Sequence, residues 1–376
     1  METTAAPTRQ RRAGRDPFLD VIRAFAMVAV VANHYLYTLL FEDDQGRWEL
    51  SMLQESGHAW VTWPFVWELQ AFFLPAAALS YRAALRTDWR TFAGRRVWRL
   101  LFPVVPLAVG LVALQLGTDA AGMGSCASWA TDLTCATAMP LAPLWFLVVL
   151  VPLTVLTPVL ARWWQGPRRW VMVGVVVATV LVSDVSWIAT GSALVVNDIS
   201  VWALVWFAGF AYADGSLLRV PARRWWAIAT GGALVMAAMT LLGPYPSWIA
   251  ASPRTSMTAM ECVVGVSVLM ALRAPLAAIR DRRVVDLCVR HVGDRMMGVF
   301  LWHYFTFAVV ISALGLAGVQ LASTLGWAYL AQRAVIVPIA LVLLAVVLAA
   351  TSWVDRVPYP PDRRTVDLRA RADGCT

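Results

Sequence analysis

Long apolar runs dominate this chain and limit what it can fold into. Only 14% of its 376 residues are charged and 60% are hydrophobic, whereas a soluble domain carries roughly a quarter charged residues. In hydrocarbon every backbone N–H and C=O must be paired within its own segment, so runs of about 20 apolar residues form helices. The sequence therefore predicts an all-α, multi-pass membrane bundle of about ten helices. The ten runs lie at about 18–41, 60–81, 97–117, 141–161, 170–188, 199–213, 225–243, 255–272, 296–316 and 325–350.

Arginine is concentrated in alternate loops, which predicts how the bundle is oriented. The intervening loops, such as 41–57, are acidic or neutral. The positive-inside rule then places both termini and all the basic loops in the cytoplasm, and an even number of spans agrees with this. The basic segments are marked by Arg11, Arg86, Arg168, Arg223, Arg283 and the C-terminal tail.

The same patterns divide the chain into three parts. We expect a cytoplasmic basic tail at 1–17, a membrane domain at 18–350 and a cytoplasmic tail at 351–376. The first run is too long for a signal peptide and lacks a small-residue cleavage site, so it is expected to remain as the first helix. The net charge of +8 fits loops that face anionic lipid and not a nucleic-acid partner. A plasma (inner) membrane location is expected.

The first apolar run carries ionisable residues that a lipid-facing helix would not carry. Arg23 and His34 are eleven residues apart, almost three helical turns, so they share a face and lie about 16 Å apart along the axis. Arginine suits a phosphate-bearing ligand, and imidazole suits proton transfer near neutral pH. Asp20 is placed to pair with Arg23 at i,i+3. The alternative for His34 is a purely structural hydrogen bond to a neighbouring helix.

Three further ionisable residues lie in predicted membrane helices. Glu68 and Glu261 each need a partner such as arginine, histidine or water. The alternatives for that partner are His34, an acceptor hydroxyl or a purely structural group. His303 either helps to bind a substrate or is an interfacial histidine between aromatic neighbours. Together with Asp20, these three are the candidate substrate-binding residues.

The stretch FAGRRVWRLLFP, at 92–103, puts three arginines at the start of the third apolar run. Arg95 and Arg99 are i,i+4 neighbours on one helix face, with Arg96 beside them. One interpretation is that they only set the topology of the chain. The other is that they bind the phosphates of a nucleotide-bearing donor. Pro75, in the preceding run, interrupts the hydrogen bonds of its helix and is a place where a cavity can open.

Cysteines and known motifs add one structural prediction and exclude several function classes. Cys126 and Cys135 lie nine residues apart in a predicted outer loop, where a disulfide can form; two unpaired cysteines are the alternative. The chain has no phosphate-binding glycine loop, no dinucleotide fingerprint and no cluster with metal-ligand spacing. No permanently bound cofactor and no metal are expected.

Several of these motifs, taken in order, resemble the acyltransferase-three family of integral membrane O-acyltransferases. The most specific is LDVIRAFAMVAVVANH, which is similar to the family's arginine–histidine pattern in the first helix. The others are FFLPAAALSYR followed by RRVWRLLFP, then PLWFL at 143–147, GPYPSW at 243–248 and FLWHY at 300–304.

The resemblance implies an enzyme that moves an acyl group, often acetyl, from cytoplasmic acyl-CoA to a hydroxyl of a glycan, a lipid-linked sugar or a secondary metabolite. It implies that Arg23 and His34 are the essential pair, with His34 as general base or transient acyl carrier. Arg95 and Arg99 are the corresponding arginines before the third helix, where acyl-CoA would bind.

Two departures from the family pattern fall on the acceptor side. Pro75 to Ala78 replace a serine–glycine pair, and Phe207 and Ala208 stand where a polar histidine–glutamine pair is expected. They indicate a more apolar acceptor or weakened activity. A transporter or flippase would also explain ten helices with buried charge, but such proteins commonly show paired halves, and no such symmetry is present. A non-catalytic receptor on an enzyme fold is supported only by the departures.

Overall fold

Helices account for nearly all of the secondary structure in the part of the chain that the computed structural model describes. This part comprises residues 16–43, 45–53, 67–127, 132–190, 196–242, 256–293, 295–354, 357 and 359. The GPYPSW motif and most of both predicted tails lie outside it. The helices are α1 (Pro17–Tyr37), α2 (Glu68–Ala84), α3 (Trp89–Leu101), α4 (Val104–Ala120), α5 (Cys135–Leu141), α6 (Trp145–Trp164), α7 (Arg168–Thr190), α8 (Asn197–Ala213), α9 (Ala222–Leu242), α10 (Ser256–Ala271), α11 (Arg273–Ala278), α12 (Arg283–His291), α13 (Met296–Leu316) and α14 (Trp327–Ala350).

Seven helical segments among the described residues are long and apolar enough to cross a membrane. They are α1, α3 with α4, α5 with α6, α7, α9, α13 and α14. The predicted spans 60–81, 199–213 and 255–272 correspond to α2, α8 and α10, which have 17, 17 and 16 residues. A helix needs about 20 residues to span the hydrocarbon core, so these three lie at or below the lower limit. The chain is a multi-pass membrane bundle, and the count of ten spans stays a prediction.

The first helix ends before the C-terminal end of the apolar run in which it lies. It begins at Pro17, where the carboxylate of Asp16 accepts hydrogen bonds from the backbone of Phe18 and Leu19, as an N-cap should. It ends at Tyr37 because Thr38 is extended and begins strand β1 (Thr38–Glu42). This strand pairs antiparallel with β2 (Trp48–Met52). The predicted boundary at 41 is therefore wrong, and a small hairpin adds to the otherwise all-α fold.

The bundle has two distinct ends, which we name from the direction of α1. At the basal end, where α1 begins, Tyr212 donates to Asp16 at 2.8 Å and the indole of Trp164 donates to Asp214 at 2.8 Å. Arg280 lies 3.8 Å from Asp20 and donates to Asp286 at 2.8 Å, and this hydrogen bond holds the pKa of Asp286 below its usual range. The predicted orientation, which stays a prediction, puts the basal end in the cytoplasm.

The apical end carries the hairpin and the disulfide. Cys126 and Cys135 are bonded to each other, so the predicted pairing is confirmed. Helix α14 caps the last carbonyl groups of the first helix: the hydroxyl of Tyr329 donates to Leu36 and the guanidinium of Arg333 donates to Thr38. These carbonyls have no partner within α1. The hydrogen bonds from α14 therefore fix the position of the last turn of α1.

Helix α2 is central to the core because it packs against α1, α6 and α8. It continues through Pro75 without ending. Its contact with α8 is closest at Gly209, where a Cβ would lie 2.5 Å from the Cβ of Ala77 and 2.6 Å from the carbonyl oxygen of Leu74. Only glycine fits there, since both contacts belong to a rigid helix.

Gly209→Ala should therefore destabilise the bundle, because the added methyl group forces α8 away from α2. Overpacking of this kind costs about 1–3 kcal/mol, and we expect a lower thermal unfolding midpoint for the detergent-solubilised protein. Gly231→Ala is the matched control, because that helical glycine has nothing within 4 Å of the added carbon. Equal midpoints for the two variants would contradict the close packing of α2 on α8.

Candidate active site

Two histidines from different helices meet inside the bundle. His34 lies in the last turn of α1, and its Nδ1 is 2.7 Å from Nε2 of His303 in α13. The rings are nearly parallel, at 16° with centroids 5.0 Å apart. His303 is 0% exposed, so it lies inside the protein, and its part in substrate binding stays a prediction. The sequence singled out both residues, but not that they bind each other.

The hydrogen bonds of His303 determine which nitrogen of His34 carries a proton. His303 Nδ1 faces the carbonyl oxygens of Phe300 and Val299, at 2.7 and 3.1 Å. A carbonyl oxygen only accepts, so Nδ1 of His303 is the protonated nitrogen. A charged ring without solvent contact is costly, which favours neutral His303 with Nε2 as acceptor. His34 then donates from Nδ1, and its Nε2 keeps a free lone pair.

Neighbouring side chains hold this pair of rings in place. The Tyr304 ring stacks on His34 with centroids 4.4 Å apart, and its hydroxyl lies 2.6 Å from that of Thr38. The hydroxyls of Tyr35 and Thr306 both donate to the carbonyl oxygen of His303, at 2.9 and 2.8 Å. As whole residues, His34 is partly exposed and His303 is fully buried. His34 is therefore the member of the pair that a substrate can reach.

A second polar group includes the residue of α1 that directly precedes His34. The amide of Asn33 donates to Oε1 of Glu68 at 3.0 Å. The other oxygens of these two side chains, Asn33 Oδ1 and Glu68 Oε2, are buried and have no hydrogen-bond partner in the described part of the chain. Glu261 is near enough to act electrostatically on Glu68. One sequence-based interpretation paired Glu68 with His34, but the structure pairs it with Asn33. The contact of Glu261 with His34 stays a prediction.

The predicted arginines do come together, around a cavity at the basal end with a volume of about 980 Å³. Arg23 lines it from α1, and Arg95, Arg96 and Arg99 line it from α3. Arg96 is close enough to Arg99 and Arg23 for mutual repulsion. No carboxylate is among the described residues of the lining. Such a group of guanidinium ions suits an anionic ligand with several charges.

The cavity and the histidine pair are separate features joined by one helix. His34 is not among the described residues that line the cavity, and it lies eleven residues, or about 16 Å, further along α1 than Arg23. Asp20 lies outside both groups and pairs with Arg280 at the basal end. The predicted pairing of Asp20 with Arg23 stays a prediction.

Several side chains of these sites were not among the candidates from the sequence, and three of them contact or adjoin the predicted residues most directly. Tyr304 stacks on His34, Asn33 holds Glu68, and Trp98 lines the arginine cavity. Asn33 and Tyr304 are chain neighbours of His34 and His303, so proximity in sequence was a usable signal. Trp98 lies between Arg96 and Arg99, but tryptophan near arginine also marks a membrane interface, which hides its position in the cavity.

Comparison with known proteins agrees with the geometry. The family model of the acyltransferase-three family, described as an acyltransferase domain, matches residues 16–353. This match spans nearly the whole chain and includes the four arginines of the cavity and both histidines. No match is found among curated proteins or among solved structures. The chain therefore belongs to the acyltransferase-three family and is a membrane acyltransferase.

Proposed function

We propose that the protein transfers an acyl group from acyl-CoA to a hydroxyl of a glycan, a lipid-linked sugar or a secondary metabolite. The acyl group we propose is acetyl. The observation that carries this proposal is the arrangement on α1. One helix presents a guanidinium to the arginine cavity at the basal end, and further along it presents an imidazole whose Nε2 has no partner in the described protein. The first group suits a phosphate-bearing donor and the second suits proton abstraction.

The distance between the two features supports a donor with a long arm. A thioester that reacts at His34 while its phosphates stay among the arginines has to reach about 16 Å along the helix axis. In acyl-CoA the pantetheine arm separates the thioester from the phosphates. A small donor such as an acyl phosphate has its charge next to the reacting carbon and could not occupy both places.

The mechanism we propose uses His34 as general base. Its Nε2 takes the proton of the acceptor hydroxyl while the oxygen attacks the thioester carbonyl. The C–S bond then breaks, and the leaving CoA thiolate receives the proton from the imidazolium. During this step the imidazolium keeps donating from Nδ1 to Nε2 of His303, which spreads the charge and keeps the ring oriented.

The acceptor side is supported by the polar group next to His34. Oε2 of Glu68 and Oδ1 of Asn33 are two buried acceptors without a hydrogen-bond partner in the described chain, and an unsatisfied buried acceptor is costly. A polyhydroxylated acceptor would supply the missing donors. Hydrogen bonds from its other hydroxyls would place one hydroxyl near the imidazole.

His34→Ala should lower the rate of acyl transfer about 10²–10⁴-fold, the usual contribution of a general base. The assay is CoA release by purified protein in nanodiscs with a panel of hydroxyl acceptors, and size-exclusion chromatography checks folding. His291→Ala is the control, because His291 is exposed in α12 and bonds only to its own helix. Full transfer by a folded His34→Ala protein would remove the base from the mechanism.

The role of His303 as a hydrogen-bond acceptor can be tested by side-chain replacement. His303→Leu leaves Nδ1 of His34 without an acceptor, so kcat should fall about tenfold or more, because a buried donor left unsatisfied costs about 1–3 kcal/mol. His303→Gln provides a carbonyl oxygen and should retain more activity than the leucine variant. If the leucine and glutamine variants have the same kcat and pH profile, His303 does not act through His34.

The arginine cavity should control the donor and not the acceptor. Arg23→Ala and Arg99→Ala each remove a guanidinium, so KM for acetyl-CoA should rise about tenfold while KM for the acceptor stays the same. Arg162→Ala is the control, because Arg162 is an exposed arginine of α6 outside the lining. An unchanged KM for the donor in both cavity variants would assign these arginines to topology alone.

A further inference from the structure

Three residues that follow α14 in the sequence form one wall of the arginine cavity. Val354, Val357 and Tyr359 line the cavity together with Arg95, Arg96 and Arg99 of α3. The sequence gives no hint of this, because the segment falls in what reads as a basic tail. Tyr359 is the aromatic member of this wall, and it lies against the same helix that carries the three arginines.

Gly94 makes this contact possible. It precedes Arg95 on α3, and a Cβ at this position would lie 2.9 Å from Cζ of Tyr359 and closer still to its hydroxyl oxygen. Any larger residue would therefore push the tyrosine ring away from the helix. The absence of a side chain at 94 lets Tyr359 lie directly over the α3 backbone, one turn from Trp98.

Trp98 has an unused hydrogen-bond donor at this corner. Its ring stacks on Phe102 at 15° with centroids 4.7 Å apart, and Tyr359 meets it edge-on at 80° and 6.5 Å. The indole Nε1 is buried and has no hydrogen-bond partner in the described chain. Buried indole N–H groups usually have an acceptor. Because Trp98 lines the cavity, a ligand bound there is our candidate for the missing acceptor.

We propose that Tyr359 and Trp98 form the site for the purine base of the donor, next to the arginines that bind its phosphates. A purine has a flat π face for the aromatic rings and ring nitrogens that accept from the indole N–H, whereas a lipid phosphate offers neither. The inference rests on the proposed function in taking the donor to be a CoA thioester. It implies that the enzyme distinguishes free acyl-CoA from an acyl group carried on phosphopantetheine alone.

The kinetic test compares two donors that share the thioester arm. Tyr359→Ala should raise KM about tenfold for acetyl-CoA, as expected for the loss of one base–aromatic contact, and leave KM for acetyl-phosphopantetheine unchanged. Tyr359→Phe keeps the ring and should behave like the parent protein. Trp98→Phe keeps an aromatic ring but removes the N–H donor together with part of the indole surface, and it should raise KM for acetyl-CoA several-fold. Equal effects of Tyr359→Ala on both donors would overturn the proposal, since they would indicate a general disturbance of the cavity.

A binding measurement separates this proposal from the proposed catalytic function. Adenosine 3′,5′-bisphosphate carries the base and phosphates but no thioester, and its affinity for the protein in nanodiscs can be measured without any acceptor. Affinity that falls about tenfold in Tyr359→Ala but not in Trp327→Ala, an exposed apical tryptophan, supports the base site even if no acyl transfer is found. No binding to the parent protein, or binding that anionic lipid abolishes and Tyr359→Ala does not change, would overturn it.

Discussion

The structure depends on the high cost of an unpaired polar group inside a lipid-embedded bundle. The hydrogen bond between His34 and His303 avoids this cost for two imidazoles at once and joins α1 to α13. Tyr329 and Arg333 of α14 do the same for the last carbonyl groups of α1. Three helices thereby converge on one helical turn. The ring of His34 is held by this convergence, and a rigidly held base is what general-base chemistry needs.

Much of the site could be predicted from the sequence where the signal is local. Arg23 and His34 share a helix, so their spacing gives their separation directly. Arg95, Arg96 and Arg99 share another helix, and the disulfide joins cysteines only nine residues apart. The contact between His34 and His303 could not be predicted, because it joins residues 269 positions apart and depends on how α1 packs against α13. A histidine between aromatic residues gives the same local pattern whether it is interfacial or buried.

The errors in the fold have physical causes of the same kind. The apolar run continues past Tyr37 through Leu39 and Leu40, so hydropathy alone extends the helix, while pairing of Thr38–Glu42 with Trp48–Met52 ends it. The same patterns predict α2, α8 and α10 as full spans, although their described lengths are 16 or 17 residues. Pro75 lies inside α2 and does not end it. The face of α2 formed by Phe72, Ala76 and Leu79 lines the arginine cavity. Of the residues that depart from the family pattern in this helix, Ala76 lines the cavity, whereas Ala77 packs against Gly209 of α8.

The disulfide at the apical end has a practical consequence for producing the protein. It ties the chain that leaves α4 to the start of α5, and α5 packs against α13, the helix that carries His303. Disulfides form and persist mainly in oxidising compartments. Cell-free synthesis with dithiothreitol, or a host without a thiol oxidase on the outer side of its membrane, would yield chains in which α5 is not tethered. Preparations from such sources should be tested for free thiols before a low specific activity is attributed to the enzyme itself.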